Sequence, residues 1–111
     1  MTETLDPEDS KIITLARSIR ARNGSAEGAA VRDETGRTYA ASGVDLPSLQ
    51  LSAVQVAVAM AVSSGAKALE AAALVSEAEG PEEQDLSVVR DLGGGTFFLA
   101  GPDGSLKGRY V

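Results

Sequence analysis

The amino-acid sequence predicts a small α/β sandwich built on a mixed sheet of five strands. Three observations carry this expectation. Helix-like and strand-like segments alternate in the order α-β-β-α-β-α-β-β. Two pairs of short strands close on glycine-containing turns, at residues 33–36 and 101–104. A nearly continuous apolar segment, residues 49–62, lies between them and is too long for an ordinary strand. The 111 residues suit a single domain spanning 1–111, and 43% hydrophobic residues are enough to build a core without staples.

Asp6-Pro7-Glu8-Asp9 reads as a helix start: Asp6 caps, Pro7 suits the first helical position, and the two acids oppose the helix dipole. Ile12, Ile13, Ala16 and Ile19 follow at helical spacing, basic residues gather towards the end, and Asn23-Gly24 stops the helix. Residues 27–32 and 37–41 then form a hairpin around Asp33-Glu34-Thr35-Gly36. After Pro47-Ser48, residues 49–62 are apolar on nearly every side and rich in alanine. This predicts a helix buried all round, ended by Gly65. Residues 69–75 (Leu-Glu-Ala-Ala-Ala-Leu-Val) are assigned to a central parallel strand by their place after that helix, against the helical preference of alanine. Pro81-Glu82-Glu83 opens a third helix with Leu86, Val88, Val89 and Leu92 inward, and Gly93-Gly94-Gly95 ends it. Residues 96–100 and 105–111 make the closing hairpin.

The composition excludes several functions. The chain has no cysteine and no histidine. Disulfides, thiolate nucleophiles, Ser-His-Asp and Cys-His mechanisms and the usual zinc ligand sets are therefore ruled out. Ten basic against sixteen acidic residues give a net charge of −6, which argues against a nucleic-acid partner. The start, Met1-Thr2-Glu3-Thr4-Leu5-Asp6, lacks the basic flank and apolar stretch of a signal peptide. The longest apolar run, residues 53–62 broken by Gln55, is shorter than the roughly 20 residues of a membrane span. A cytoplasmic protein without a membrane or nucleic-acid partner is expected.

Two local signals invite chemistry. Gly93-Gly94-Gly95-Thr96 suggests a phosphate loop, but it leaves a helix and enters a strand, the reverse of that geometry, and the Lys-Ser/Thr pair is missing. Glu82, Glu83 and Asp85 offer carboxylates for acid–base work or for Mg²⁺, although acids in a first helical turn are also what the dipole favours. None of the three lysines, Lys11, Lys67 and Lys107, stands in a Ser-x-x-Lys spacing.

Several phrases in order resemble the cytidine deaminase family. Glu27-Gly28-Ala29-Ala30-Val31 and Thr35-Gly36-Arg37-Thr38-Tyr39 are similar to its first hairpin, V-G-A-A followed by D-G-x-x-Y/F. Leu51-Ser52-Ala53-Val54-Gln55 stands where the family has L-C-A-E-R, and Ala61-Val62-Ser63-Ser64-Gly65 resembles the end of the same helix. Pro81-Glu82-Glu83-Gln84-Asp85 stands where the family has P-C-G-x-C. Phe97-Phe98-Leu99 and Asp103-Gly104 resemble its terminal hairpin, so the likeness runs from about Ile12 onward.

This resemblance implies a three-layer α/β/α fold. It also implies a zinc held by three Cys or His ligands, with a glutamate moving protons for a zinc-bound water. By position the ligands fall on Ser52, Glu82 and Asp85, and the proton shuttle falls on Val54. The ribose-binding Asn-x-Glu falls at Gly43-Val44-Asp45, and the base-stacking Phe falls near Ser25. The resemblance therefore implies a chain that kept the fold and lost the reaction: a catalytically inactive, zinc-independent relative with no cofactor. In such a chain Ser52, Glu82 and Asp85 would plug the metal position by hydrogen-bonding the helix N-termini. Short members of the family usually assemble as dimers or tetramers, so a homo-oligomer is expected, with an unidentified protein partner as a further possibility. Two alternatives stand beside this expectation: a nucleoside or nucleotide sensor using the remnant pocket at Ser25, Gly43 and Asp45, and a hydrolase with an altered, metal-independent mechanism built on Asp45, Glu82 and Asp85.

Overall fold

A computed structural model of the chain describes residues 5–111. Residues 1–4, the first part of the segment read above for a signal peptide, lie outside the described residues. Helix α1 (Pro7–Asn23) begins where the sequence places it. Asp6 accepts a hydrogen bond from the Glu8 amide at 2.8 Å, and the helix ends on Gly24 at φ 60. Strands β1 (Gly28–Asp33) and β2 (Thr38–Ser42) form the first hairpin. A two-stranded ribbon follows, β3 (Val44–Leu46) with β4 (Leu49–Leu51), and leads into helix α2 (Ala53–Ser63). Then come β5 (Leu69–Val75), α3 (Glu83–Asp91), β6 (Thr96–Ala100) and β7 (Leu106–Tyr110).

The main sheet has the order β2-β1-β5-β6-β7. Only β5 and β6 run parallel, and α3 is their crossover; the other pairs are antiparallel. The sheet is thus mixed and five-stranded, as the sequence predicts. Successive residues along each strand face opposite layers. Ala30, Ala71, Ala73, Val75, Phe98 and Ala100 meet Ile12, Ile13 and Ala16 of α1. Ala29, Val31, Ala72, Leu74, Phe97 and Leu99 meet Val54, Ala57, Val58 and Ala61 of α2 and Val89 of α3. The alanines of β5 are strand residues because β5 is paired on both edges and covered on both faces. Tertiary pairing there overrides the local preference of alanine for helix. Their small side chains also let α1 lie close to the sheet.

The chain departs from the sequence expectation in three places. Residues 49–51 pair with β3 across Pro47–Ser48 instead of starting the helix, which begins only after Ser52. The reason is a capping box: Ser52 Oγ accepts from the Gln55 amide at 3.1 Å, and Gln55 Oε1 accepts from the Ser52 amide at 2.9 Å. Helix α2 is also not buried all round. It lies on one face of the sheet, so Ala53, Val54, Ala57, Val58 and Ala61 are covered while Met60 and Val62 are 40% and 51% exposed. Finally, Pro81 precedes α3 rather than opening it, and Glu82 is the N-cap. Of the four residues expected inward on α3, Val89 alone is fully buried, and it is joined by Asp85.

Candidate functional site

The crossovers bring the N-terminal ends of α2 and α3 together beside the C-terminal end of β5. Ser52 caps α2, and its hydroxyl donates to Asp85 Oδ1 at 2.6 Å while accepting from the Gln55 amide. Asp85 belongs to the first turn of α3 and is 2% exposed. One serine hydroxyl thus ties two helix starts together and occupies both its donor and an acceptor position. Glu82 takes no part in this contact. It is exposed, caps nothing with its side chain, and accepts from the Gln84 amide group at 3.4 Å. Val54, at the position where the resemblance puts the proton shuttle, is a fully buried core residue.

Next to this lock a cleft of about 540 Å³ opens. Ser25, Ala26 and Glu27 come from the segment before β1, and Gly43, Val44 and Asp45 from the start of the ribbon. Leu51, Ser52 and Ala53 form its floor, and Ser76, Glu77 and Ala78 close it after β5. The fold therefore gathers Ser25, Gly43, Asp45 and Ser52 around one cavity, with Asp85 bonded to its floor.

The sequence reading missed Glu27. Burial raises its pKa above the usual carboxylate range, the nearby carboxyls of Asp85 and Glu82 add to the rise, and a hydrogen bond with Ser76 offsets part of it. Asp85 is also raised, first by burial and then by Glu82, against the lowering effect of the Ser52 hydroxyl. The signal for Glu27 was an acid directly before an apolar strand, in a phrase where the resembled family has valine.

These shifts set a pH dependence. The folded chain holds protons on Glu27 and Asp85 at a pH where the unfolded chain has released them, so lowering the pH from 7 towards about 5 stabilises the fold. Asp33 acts in the opposite sense. Its Oδ1 accepts from the Thr35 hydroxyl and the Thr35 and Arg37 amides, and its Oδ2 from the Tyr39 hydroxyl. These bonds, the Thr35 hydroxyl first among them, hold its pKa at about 2. The stability Asp33 supplies is present above about pH 4 and is lost as the pH falls towards 2. Thermal melts across pH should show a maximum on the acid side of neutrality, and Glu27→Gln should flatten the rise towards it. A melting temperature that falls steadily from pH 7 downward contradicts this.

The donor set does not fit zinc. Ser52 offers a neutral hydroxyl already engaged on both sides, and Asp85 a single buried carboxyl. Among the described residues no group of three or more acidic side chains is arranged to hold a metal ion. No helix among them is long and apolar enough to cross a membrane.

Two helix starts meeting beside a cleft, on a mixed sheet in this order, define a deaminase-type α/β/α fold. A family model described as cytidine deaminase-like matches residues 5–104, and the chain belongs to that family. No curated protein matches it. Among solved structures, cytidine deaminase from Burkholderia pseudomallei superposes with a TM-score of 0.77 at 22% identity, covering 90% of this chain and 89% of that one. Cytidine deaminase from Mycobacterium leprae superposes at 0.67 and 19% identity, covering 91% and 92%. At these identities the likeness concerns the fold.

The expectation that the chain is not an enzyme is corrected by these findings, because the family and its solved relatives are enzymes. That expectation rested on missing zinc ligands. Their absence removes one mechanism only; Glu27 lines the cleft, and Asp85 is bonded to the Ser52 hydroxyl beside it.

Proposed function

We propose that this member of the cytidine deaminase-like family binds a nucleoside-class ligand in the cleft, without zinc. One observation carries the reading. The cavity is lined by Ser25, Gly43, Asp45 and Ser52, the positions at or near which the sequence resemblance puts the stacking, ribose and metal sites of the family. Its volume suits a small ligand. The carboxyls that face the cleft are those of Glu27, Asp45 and Glu77, with Asp85 behind the Ser52 hydroxyl.

Thermal-shift and calorimetric titrations with cytidine, uridine, adenosine, guanosine and their free bases test it. At least one nucleoside should raise the melting temperature and bind with measurable heat; a flat response across the panel overturns the reading. Zinc independence is tested separately. Protein purified without chelators should carry less than about one-tenth zinc per chain, and EDTA should leave its melting temperature unchanged. Stoichiometric zinc overturns that part.

A second reading, self-association, is favoured by helix α2. Its eleven residues, AVQVAVAMAVS, include no charged side chain, and Met60 and Val62 stand outward. Leu46 and Leu49, 55% and 48% exposed, add apolar surface on the adjoining ribbon. We propose that a second copy of the chain covers this face, giving a dimer or tetramer. Sedimentation velocity should show a mass at least twice that of the chain, and Met60→Glu should return it to the monomer. A monomer at all concentrations overturns the proposal.

A further inference from the structure

The three walls of the cleft are each held from outside it. Arg20 of α1 donates through Nε to the Ala26 carbonyl at 3.0 Å. Asn23, the last residue of the same helix, donates to the Ser42 hydroxyl at 2.8 Å, one position before Gly43. Lys107 of β7 donates through Nζ to the Ser76 and Ala78 carbonyls at 3.1 and 3.0 Å. None of these three side chains lines the cavity. The wall that Lys107 holds is a turn. The Ser76 amide donates to the Ala100 carbonyl at 3.0 Å, and the Ser76 hydroxyl accepts from the Ala78 amide at 3.0 Å, which folds the chain back after β5. That hydroxyl also hydrogen-bonds Glu27 on the opposite wall. Residues 77–80 are exposed and belong to no helix or strand, so two charge-assisted bonds to this turn weigh heavily in its order. A Cβ at Gly101 would lie 3.3 Å from Lys107 Cε, so the bare glycine leaves the lysine stem its path past the end of β6.

We infer that Lys107 is a positioning residue of the cleft: it holds the turn 76–78 in the orientation that sets Ser76 against Glu27 and completes the cavity. Its ammonium is bonded to main-chain carbonyls, so it acts on a ligand through the wall and not by contact. Without it the turn samples other orientations, and the cavity is complete for only part of the time. Apparent affinity then falls by the fraction of time the wall is in place. Arg20 and Asn23 hold their walls from a helix packed on the sheet, whereas Lys107 reaches over from an exposed position on the edge strand β7. Its replacement therefore leaves the core intact and isolates the effect on the wall. The inference rests on the cleft being a ligand site, as proposed above, and adds the residue outside the cleft on which its shape depends.

The test compares three forms of the full chain: the parent, Lys107→Met, and Lys67→Met, which removes the same charge from the connection before β5. Water-exchange NMR at the Ala78 amide reports the turn. Titration with cytidine, read at the backbone amides of Ser25 and Gly43, reports the cleft. Lys107→Met should exchange its Ala78 amide about fivefold or more faster and bind cytidine about threefold or more weakly. It should still melt within about 5 °C of the parent, and Lys67→Met should match the parent in all three measurements. If Lys107→Met folds poorly, Lys107→Gln, which lacks the charge and the reach, should move both readouts in the same direction. The inference is overturned if Ala78 in Lys107→Met exchanges as it does in the parent, if faster exchange leaves cytidine affinity unchanged, or if Lys67→Met weakens cytidine as much. The exchange readout needs no ligand. A parent that binds no nucleoside would therefore sink the nucleoside reading, while exchange at Ala78 still decides this one.

Discussion

Asp85→Ala lowers the stability of the fold by about 3 kcal/mol, which for a domain of this size moves the melting temperature by roughly 10–20 °C. Two losses combine. The half-buried Ser52 hydroxyl is left without its acceptor, and the first turn of α3 loses the packed volume of a buried side chain. Asp85→Asn behaves differently. Its amide oxygen can still accept from Ser52, and removing the charge relieves repulsion from Glu82 and Glu27, so the variant stays within about 1 kcal/mol of the parent at neutral pH. Ser52→Ala falls between them, losing the α2 cap (about 1 kcal/mol) and the hydroxyl that donates to Asp85 Oδ1. Chemical denaturation of the three variants reads this order directly. An Asp85→Ala protein with the parent's midpoint would mean that the two helix starts are held by packing alone.

The same contact shows how much of the site was legible from the sequence. The resemblance placed Ser52 and Asp85 at metal positions, and the structure brings them to 2.6 Å. Glu82 occupies the third position in sequence but faces solvent, because an N-cap residue sits outside the helical turn that carries Asp85 inward. Glu27 carries only a faint signal in the sequence, an acid where the resembled family has valine. Its importance comes from burial and from carboxyls 55 and 58 positions away in the chain, a relation only the folded sheet creates.

The fold was legible where local rules and tertiary packing agree. The capped helix α1, the hairpin closed by Asp33 and Gly36, and the terminal hairpin all have turn or cap residues that act over two to four positions. The short ribbon β3–β4 was missed because three-residue strands carry no usable periodicity. The start of α2 was marked by Ser52 and Gln55, but the apolar run across it hid the boundary. The exposed face of α2 was hidden for the same reason: an all-apolar helix has no polar stripe from which to read its orientation.

The second large effect is expected at Gly28, the first residue of β1 and the neighbour of Glu27. A Cβ there would collide with the carbonyl oxygen of Ala16 and lie 2.8 Å from Arg20 Cβ and 2.9 Å from the Arg20 amide nitrogen. Two of these three atoms are helix backbone, so no side-chain rotation makes room. Gly28→Ala must push α1 away from the sheet, against the packing of Ile12, Ile13 and Ala16 on Ala30, Ala71 and Ala73. The expected cost is about 3 kcal/mol or more, at the upper end for overpacking because the obstruction is main chain. Gly80→Ala is the control: nothing lies within 4 Å of its Cβ position and its φ is not in the left-handed region, so its stability should stay within about 0.5 kcal/mol of the parent. The substitution at Gly28 also reaches the cleft. Ser25, Ala26 and Glu27 form one of its walls, and Arg20, which Gly28→Ala displaces, holds the Ala26 carbonyl. Ligand affinity should therefore fall in Gly28→Ala even under conditions where the protein remains folded, and it should be unchanged in Gly80→Ala. Melting curves and cleft-amide titrations of the two variants measure both effects. A Gly28→Ala protein as stable as Gly80→Ala would show that α1 does not hold the wall of the site.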